Sequence, residues 1–310
     1  MEGWTVSYAV GIDIGGTKTA IGLVDSEGNM KEKVTLPTDQ TVTPGEMVNR
    51  MAIAVKQLAD QAGVPVESLA GIGIGAPGPL NTKLGQIAEP PNLRGWWGFP
   101  VVEAVKQHFD LPVFFENDAT AAALAEKWIG AAQDSQNFIY ITISTGIGAG
   151  IYSHGRLITG ATGNAGDVGH FVVAPEVGQC VCGQEGCWEF AASGTAIARQ
   201  ASELLGRTVT TKEAIDMAGS GEHPEMTALI ERIYRYIGIG CVTLINTQDP
   251  ELIVLGGGVS QVGDPLFTAV RDYVSKYALN PTGRQTRIVP AALSQEAGLI
   301  GAAALVHVSY

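Results

Sequence analysis

Residues 9–28 read AVGIDIGGTKTAIGLVDSEG: an apolar run, a Gly/Thr turn, a second apolar run and a polar tip. Short β-branched runs separated by a glycine turn predict two antiparallel strands. Residues 138–157, FIYITISTGIGAGIYSHGRL, repeat the same plan. Two such hairpins, each opening an α/β half, predict a duplicated α/β fold of two domains with a cleft between them.

Helical and strand patterns alternate through the rest of the chain. Apolar residues at helical spacing predict a helix over residues 45–62. Further strands are predicted at 69–74, 112–115, 251–255 and 288–290, and further helices at about 101–109, 119–129, 193–205, 211–218, 224–246, from 265 and from 295. We expect a small α/β domain over residues 1–117, completed by a C-terminal helix at 296–310, and a large α/β domain over residues 118–295.

The charge and the hydrophobicity pattern of the sequence argue against two kinds of binding partner, nucleic acids and membranes. A formal net charge of -12 over 310 residues argues against nucleic-acid binding, which begins with a basic patch. The first ten residues lack the pattern of a signal peptide, and no apolar run approaches the ~18 residues of a membrane span. With its thiols better explained by a metal, the chain is expected to be cytoplasmic, with neither nucleic acid nor a membrane as partner.

A metal-ligand cluster lies in residues 163–189, GNAGDVGHFVVAPEVGQCVCGQEGCWE. It holds three of the four cysteines, Cys180, Cys182 and Cys187, with His170 ahead of them. One imidazole and three thiolates complete a closed tetrahedral Zn²⁺ site, which predicts structural zinc. The alternative is a set of buried or redox-active thiols beside an unrelated histidine. The remaining cysteine, Cys241, is expected to pack as a small buried hydrophobe.

One glycine motif is misleading. Gly73, Gly75 and Gly78 match the dinucleotide-binding pattern after a strand, but that pattern must open a helix. Pro77 and Pro79 forbid a helix there, so we reject a nicotinamide site and interpret the loop as a wall of another site.

Four strand ends carry the residues suited to chemistry: Asp13-Ile-Gly-Gly-Thr-Lys18, Glu116-Asn-Asp118, Ser144-Thr-Gly-Ile-Gly148 and Leu255-Gly-Gly-Gly258. Singly, each has a simpler explanation; Asp118 could cap a helix and Lys18 could be a solvated cation. Together they suit phosphoryl transfer, which needs backbone amides for phosphates, a metal, and a carboxylate for the nucleophile. Asp13 is a candidate Mg²⁺ ligand. The chain has no Walker-type motif.

Over essentially its whole length, the chain resembles the sugar kinases of the ROK family, within the actin-like ATPase superfamily. The motifs that carry the resemblance are Asp13–Lys18, Gly75-Ala-Pro-Gly-Pro79, Pro91-Asn-Leu93, Glu116–Asp118, Ser144–Gly148, Gly166-x-x-Gly-His170, Cys180-x-Cys-Gly-x-x-Gly-Cys187-x-Glu189 and Leu255–Gly258. The resemblance implies a two-domain, ribonuclease H-like fold. It also implies ATP, Mg²⁺ and structural Zn²⁺ as cofactors, and a homodimer.

The resemblance implies a role for each matched residue. Asp118 is the expected general base, accepting the proton of a sugar C6 hydroxyl. The implied sugar-binding residues are Gly75, Asn92, Asn117, Asp118, Asp167, His170 and Glu189. The residues expected around ATP and its Mg²⁺ are Asp13, Gly15, Gly16, Thr17, Lys18, Thr145, Gly146 and Gly257. The implied zinc ligands are His170, Cys180, Cys182 and Cys187, with the second ring nitrogen of His170 left for a sugar hydroxyl.

Asp167 departs from the family pattern, which usually has Glu at this position. One methylene fewer retracts the carboxylate by roughly 1.5 Å, which puts the identity of the hexose in question. We predict an ATP-dependent glucose kinase, with glucosamine, an N-acylated hexosamine, mannose or fructose as alternative substrates. Another nucleotide or polyphosphate remains open as phosphate donor.

Two other classes fit less well. A sugar-responsive repressor would need a DNA-binding domain before the first strand, which begins within about ten residues of Met1. A non-catalytic sugar-binding protein would not need Asp118, Asp13 and the phosphate-binding turns.

Overall fold

The structure, a computed structural model, describes residues 7–309. Its strands are β1 (Tyr8–Ile14), β2 (Lys18–Asp25), β3 (Met30–Pro37), β4 (Ile72–Ala76), β5 (Leu80–Asn81), β6 (Gln86–Ile87), β7 (Val113–Asn117), β8 (Phe138–Ile143), β9 (Ile147–Ser153), β10 (Arg156–Ile158), β11 (Leu252–Gly256) and β12 (Arg287–Pro290). Its α-helices are α1 (Pro44–Ala62), α2 (Val101–Lys106), α3 (Asp118–Trp128), α4 (Trp188–Ala192), α5 (Gly194–Leu205), α6 (Thr211–Ser220), α7 (Pro224–Gln248), α8 (Asp264–Tyr277) and α9 (Ala297–His307). The first ten residues are predicted not to be a signal peptide, and residues 1–6 of that stretch lie outside the described residues. Tyr310, the predicted end of the last helix, also lies outside them.

Two five-stranded sheets share one topology. The first has the order β3-β2-β1-β4-β7, with β1 antiparallel to β2 and parallel to β4. The second has the order β10-β9-β8-β11-β12, with β8 antiparallel to β9 and parallel to β11. Each sheet therefore begins with one of the two similar hairpins, which confirms the predicted duplicated α/β fold.

The described chain forms two compact units. The first comprises residues up to 134, 155–166 and those from 295 onward, and the second comprises 135–154 and 167–294. Helix α3 belongs to the first unit because it packs against α9, so this unit extends past the predicted boundary at residue 117. The division into functional domains stays a prediction.

In the first unit, α9 lies against the sheet with its backbone in close contact. A Cβ at Gly11 of β1 would overlap the carbonyl of Leu299, and one at Gly73 of β4 would overlap that of Ala302. Gly301 meets α3 in the same way, at the carbonyl of Ala121. Small residues thus bring one helix onto both the sheet and α3, burying the apolar face of each.

In the second unit, Trp188 anchors the start of α4 in the core. Its ring is fully buried, stacks on Phe171 with centroids 5.1 Å apart, and fills the space that a side chain at Gly240 of α7 would need. Cys241, the next residue of α7, is completely buried, as predicted. Over residues 7–309, no helix is both long and apolar enough to span a membrane.

Candidate active site and metal centre

The carboxyl ends of β1, β4 and β7 bring three sequence motifs to one edge of the first sheet. In the parallel register Asp13 lies beside Gly75, and Gly75 lies beside Glu116. Residues in register point to the same face, so Asp13 and Glu116 flank a glycine that has no side chain between them. After β4 the chain continues into the short strand β5 rather than a helix, which agrees with the rejection of a nicotinamide site.

Asp118 is the first residue of α3, and Asn117 is its N-cap. The Asn117 side chain accepts hydrogen bonds from the backbone N–H groups of Ala119 and Thr120, at 2.9 and 3.2 Å. The simpler explanation of Asp118 as the cap is therefore wrong. A Cβ built on Gly75 would lie 3.7 Å from the Asp118 Cα, so Gly75 packs directly beside the first residue of α3.

Asp13 meets the requirements of a divalent-cation ligand. Desolvation raises the pKa of its carboxyl from 3.8 to about 6, although the charge of Lys18 lowers it. A Cβ at Gly298, in the first turn of α9, would lie 2.5 Å from its Oδ2. A cation bound here would offset the cost of the desolvated charge, and Mg²⁺ prefers such an oxygen donor.

The turn from Gly15 to Lys18 closes through a hydrogen bond from the Gly15 N–H to the Lys18 carbonyl, at 2.9 Å. It lies against the loop of Asn92, whose Cβ would be 3.2 Å from a Cβ on Gly16. The Gln40 side-chain amide joins the two segments, donating to the carbonyls of Gly16 and Asn92 at 2.7 and 3.1 Å. Sequence reasoning missed Gln40, and no local pattern marks it.

Glu116 is a buried carboxyl two residues before Asp118, the predicted general base. It is 6% exposed, and its Oε2 has no hydrogen-bond partner among residues 7–309. Desolvation raises its pKa from 4.5 to about 7, although the backbone N–H of Asn117 lowers it. The signal in the sequence was a carboxylate at the buried end of an otherwise apolar strand.

We expect Glu116 to make stability depend on pH. Because its folded-state pKa lies above its unfolded value, the folded state retains the proton between pH 4.5 and about 7, and stability falls as pH rises through that window. Glu116→Gln removes the ionisation, so the variant should gain up to about 3 kcal/mol over the wild type between pH 5 and pH 8. Urea unfolding of both proteins at the two pH values measures this. Identical pH dependence in the two proteins would contradict it.

The second unit carries the other glycine turn, from Ser144 to Gly146 between β8 and β9. Ser144 N–H donates to the Gly146 carbonyl at 2.9 Å, and the N–H of Gly194, the first residue of α5, donates to the Ser144 carbonyl at 2.7 Å. Gly257 has φ +83° and leaves no room for a Cβ beside the Ile143 backbone. Thr145, Gly146 and Gly257 therefore lie at neighbouring strand ends, as predicted from the sequence.

The carboxyl of Asp167 lies within electrostatic reach of His170 and Glu189. Partial desolvation raises the pKa of Asp167, the Glu189 carboxylate raises it further, and His170 lowers it. Glu189 Oε2 also accepts a hydrogen bond from the Ile147 backbone N–H at 2.8 Å. Glu189 therefore contacts the glycine turn, a contact that the sequence did not predict.

The four predicted metal ligands converge. The donor atoms of His170, Cys180, Cys182 and Cys187 all lie within 4.8 Å of one another. Cys182 Sγ is 3.5 Å from Cys187 Sγ, and Cys180 Sγ is 3.8 Å from His170 Nδ1. A tetrahedral zinc site with metal–sulfur bonds of about 2.3 Å has edges of about 3.8 Å, so the donor set and its spacing fit zinc.

Glycines shape the loop that carries these ligands. Gly183 and Gly186 have φ of +92° and +72°, a region that favours glycine, and a Cβ at Gly186 would lie 2.5 Å from the Ala174 carbonyl oxygen. Backbone hydrogen bonds join Cys180 to Gln184 and Trp188 to Phe171. The loop is therefore folded around the cluster by its own backbone as well as by any ion.

Each unit brings together its own share of the predicted residues. The first contains Asp13, Gly15, Gly16, Thr17, Lys18, Gly75, Asn92, Asn117 and Asp118. The second contains Thr145, Gly146, Asp167, His170, Cys180, Cys182, Cys187, Glu189 and Gly257. The roles assigned to them remain predictions.

Known proteins resemble the chain over nearly its whole length. The glucokinase of Halalkalibacterium halodurans is 34% identical, the match covering 96% of this chain and 94% of that protein. The N-acetylmannosamine kinase of Escherichia fergusonii is 35% identical, with 95% and 96% covered. A crystal structure of a ROK family glucokinase from Streptomyces griseus, in complex with glucose and AMPPNP, superposes with a TM-score of 0.81 at 32% identity, covering 96% of this chain and 99% of that one.

The family assignment follows from the extent of the match. The sequence model of the ROK family matches residues 9–309, which include both sheets, both glycine turns and the four clustered metal ligands. The three relatives just described also match at least 95% of this chain. This chain belongs to the ROK family.

Proposed function

We propose that the protein is an ATP-dependent hexose kinase that transfers the γ-phosphate to the C6 hydroxyl of glucose. The observation that carries this proposal is the arrangement at the edge of the first sheet. A carboxylate, Asp118, follows β7. At the same edge of the sheet, β1 ends with Asp13 and leads into the glycine turn that ends at Lys18, and β4 lies between these two strands. The glucokinase relatives support the choice of substrate.

The reaction needs one proton acceptor. In the proposed step Asp118 accepts the proton of the C6 hydroxyl while the hydroxyl oxygen forms a bond to the γ-phosphorus, and the bond from that phosphorus to the β–γ bridging oxygen breaks to release ADP. The backbone N–H groups of Gly16, Thr17 and Lys18, and of Thr145 and Gly146, are proposed to hold the phosphates. Gly15 is proposed to face the triphosphate in the same turn, with its own N–H bonded to the Lys18 carbonyl. Gly257 is proposed to contact the adenosine.

Two metal ions belong to the proposal. Asp13 would hold Mg²⁺, directly or through water, and the ion would neutralise phosphate charge. His170, Cys180, Cys182 and Cys187 would hold a structural zinc ion. His170 Nδ1 lies beside Cys180, so its Nε2 is the nitrogen that we assign to a sugar hydroxyl. The other proposed sugar ligands are Gly75, Asn92, Asn117, Asp167 and Glu189.

A coupled kinase assay tests the proposal. Purified protein with Mg-ATP should phosphorylate glucose, and ATP, other nucleotides and polyphosphate should be compared as donors. A panel of glucose, mannose, fructose, glucosamine and N-acetylmannosamine identifies the hexose. Absence of turnover with every sugar and donor, in protein that still binds a hexose, would favour a sugar-binding protein instead. The expected homodimer can be checked by sedimentation of the same preparation.

An N-acylated hexosamine is the second candidate substrate, because Asp167 has a shorter side chain than the glutamate that the family usually has at this proposed sugar-binding position. The N-acetylmannosamine kinase relative is as similar to the chain as the glucokinase, so identity does not separate the two.

We expect Asp167→Glu to shift sugar selectivity. Extending the carboxylate by roughly 1.5 Å should raise kcat/KM for glucose and lower it for sugars with a bulky C2 substituent. Adding or removing one hydrogen bond to a hydroxyl changes discrimination by roughly tenfold or more. The ratio of kcat/KM for glucose to that for N-acetylmannosamine, in the wild type and the variant, measures this. An unchanged ratio would remove Asp167 from the sugar site.

A further inference from the structure

Glu189 touches two parts of the second unit that the proposed function treats separately. It belongs to the segment of the zinc ligands, and its Oε2 accepts the Ile147 N–H at 2.8 Å. The same oxygen occupies the space that a Cβ on Gly146 would need, so the carboxylate lies directly against the glycine turn. Ile147 is separated from Glu189 by 42 positions, so this contact is a tertiary one.

Within residues 7–309, the other hydrogen bonds of the turn that the structure shows are the two backbone bonds of Ser144, to Gly146 and from Gly194. Ser144 and Thr145 are exposed, and a glycine occupies its third position. Holding the backbone of one residue in a single conformation costs about 1–2 kcal/mol. A turn that presents its amides to phosphate therefore binds more tightly if a hydrogen bond already fixes it before the ligand arrives.

The predicted zinc ligand Cys187 and the buried Trp188, which directly precede Glu189, restrain its position. Cys187, a predicted zinc ligand, is the N-cap residue of α4, and Glu189 is the second residue of that helix. Trp188 between them is clamped by Phe171 and by the close approach of Gly240. Displacement of Cys187 would therefore move the carboxylate that contacts the turn.

We propose that Glu189 is a positioning residue for the nucleotide phosphates: its Oε2 holds the Ser144–Gly146 turn in the conformation that presents backbone N–H groups to the phosphates. This inference rests on the proposed function. It extends that function because it gives the metal-binding segment a part in nucleotide binding as well as in sugar binding. In this proposal Oε1 accepts a hydrogen bond from the sugar hydroxyl, so that one carboxylate serves both substrates.

Amide hydrogen exchange over residues 144–150 tests the contact without relying on activity. Glu189→Ala should speed exchange of the Ile147 amide by about tenfold or more. Glu189→Gln should keep the protection, because its side-chain carbonyl can still accept the bond. Glu185→Ala, an exposed glutamate of the same segment, is the matched control and should exchange as the wild type does. Zinc content near one ion per chain in each variant shows that the segment is still folded.

Calorimetric titration with AMPPNP and Mg²⁺, in the absence of sugar, tests the consequence. Glu189→Ala should weaken nucleotide binding by about tenfold or more, Glu189→Gln should weaken it by less than about threefold, and Glu185→Ala should leave it unchanged. Loss of sugar binding alone, with wild-type exchange and wild-type nucleotide affinity in Glu189→Ala, would overturn the proposal. A wild type that phosphorylates no hexose would refute the proposed kinase function instead, and hydrogen exchange would still report on the contact.

Discussion

Replacing Asp118 with asparagine is expected to lower kcat roughly 10²–10⁴-fold, the range typical for loss of a general base. Asparagine cannot accept the proton of the C6 hydroxyl. Its side-chain carbonyl can still accept the hydrogen bond that Asp118 Oδ1 receives from the Ala119 N–H at 2.7 Å, so the helix should begin as before. A coupled assay gives kcat, and calorimetry gives the dissociation constant of the sugar, which should change less than about tenfold.

The matched control is Asp110→Asn, in an exposed acidic residue shortly before β7. It removes the same charge from the same unit and should leave kcat at the wild-type value. Thermal unfolding should be similar in all three proteins. An Asp118→Asn enzyme that retains more than about a tenth of the wild-type kcat would exclude Asp118 as the base.

Removal of the metal is expected to unfold the segment from His170 to Glu189 and to abolish sugar binding. A structural zinc ion contributes on the order of 10 kcal/mol to local folding. The few backbone hydrogen bonds of this loop cannot replace that contribution. The Cys187→Ala protein should therefore contain far less than the roughly one zinc ion per chain expected of the wild type. Elemental analysis gives the zinc content, and hydrogen exchange across the segment gives its folding.

Cys241→Ala is the matched control, because it removes the same thiol from a cysteine that lies in the core away from the metal ligands. It should keep its zinc and its sugar affinity, at a modest cost in stability from the lost packing. A strong chelator should reproduce the Cys187→Ala phenotype in the wild type. Fully active wild-type protein without zinc would refute the metal assignment.

The sequence predicts the fold best where strands are buried. Both hairpins have long apolar runs and were correctly identified, whereas β3 was missed. Strand β3 reads MKEKVTLP and forms the edge of its sheet, with exposed charges at Lys31, Glu32 and Lys33. An edge strand has only one pairing partner and tolerates charge, so its pattern resembles that of a loop. The five-residue helix α4 was also missed, since it forms in the context of the buried Trp188.

The candidate site divides along similar lines. Asp13, Gly75 and Asp118 could be grouped from the sequence because the carboxyl ends of parallel strands meet at one edge of a sheet. Gln40 could not be assigned to this site from the sequence, because the residues that it contacts, Gly16 and Asn92, are 24 and 52 positions away in the chain. The Glu189–Ile147 contact is likewise made between residues far apart in the sequence. The burial of Glu116 could not be predicted either, because the sequence alone does not show which end of the strand is buried. Local patterns identify strand ends, but long-range loop contacts need the tertiary structure.

The close contact of α9 with Gly11 and Gly73 has a consequence for biosynthesis. The strands of the first sheet are synthesised before residues 135–294, but the covering helix, Ala297–His307, is synthesised after them. Until then the face of β1 and β4 that receives α9 stays bare, while residues 135–294 have already emerged. We expect the second unit, although later in sequence, to acquire its native packing first, leaving the first unit dependent on chaperones for most of translation.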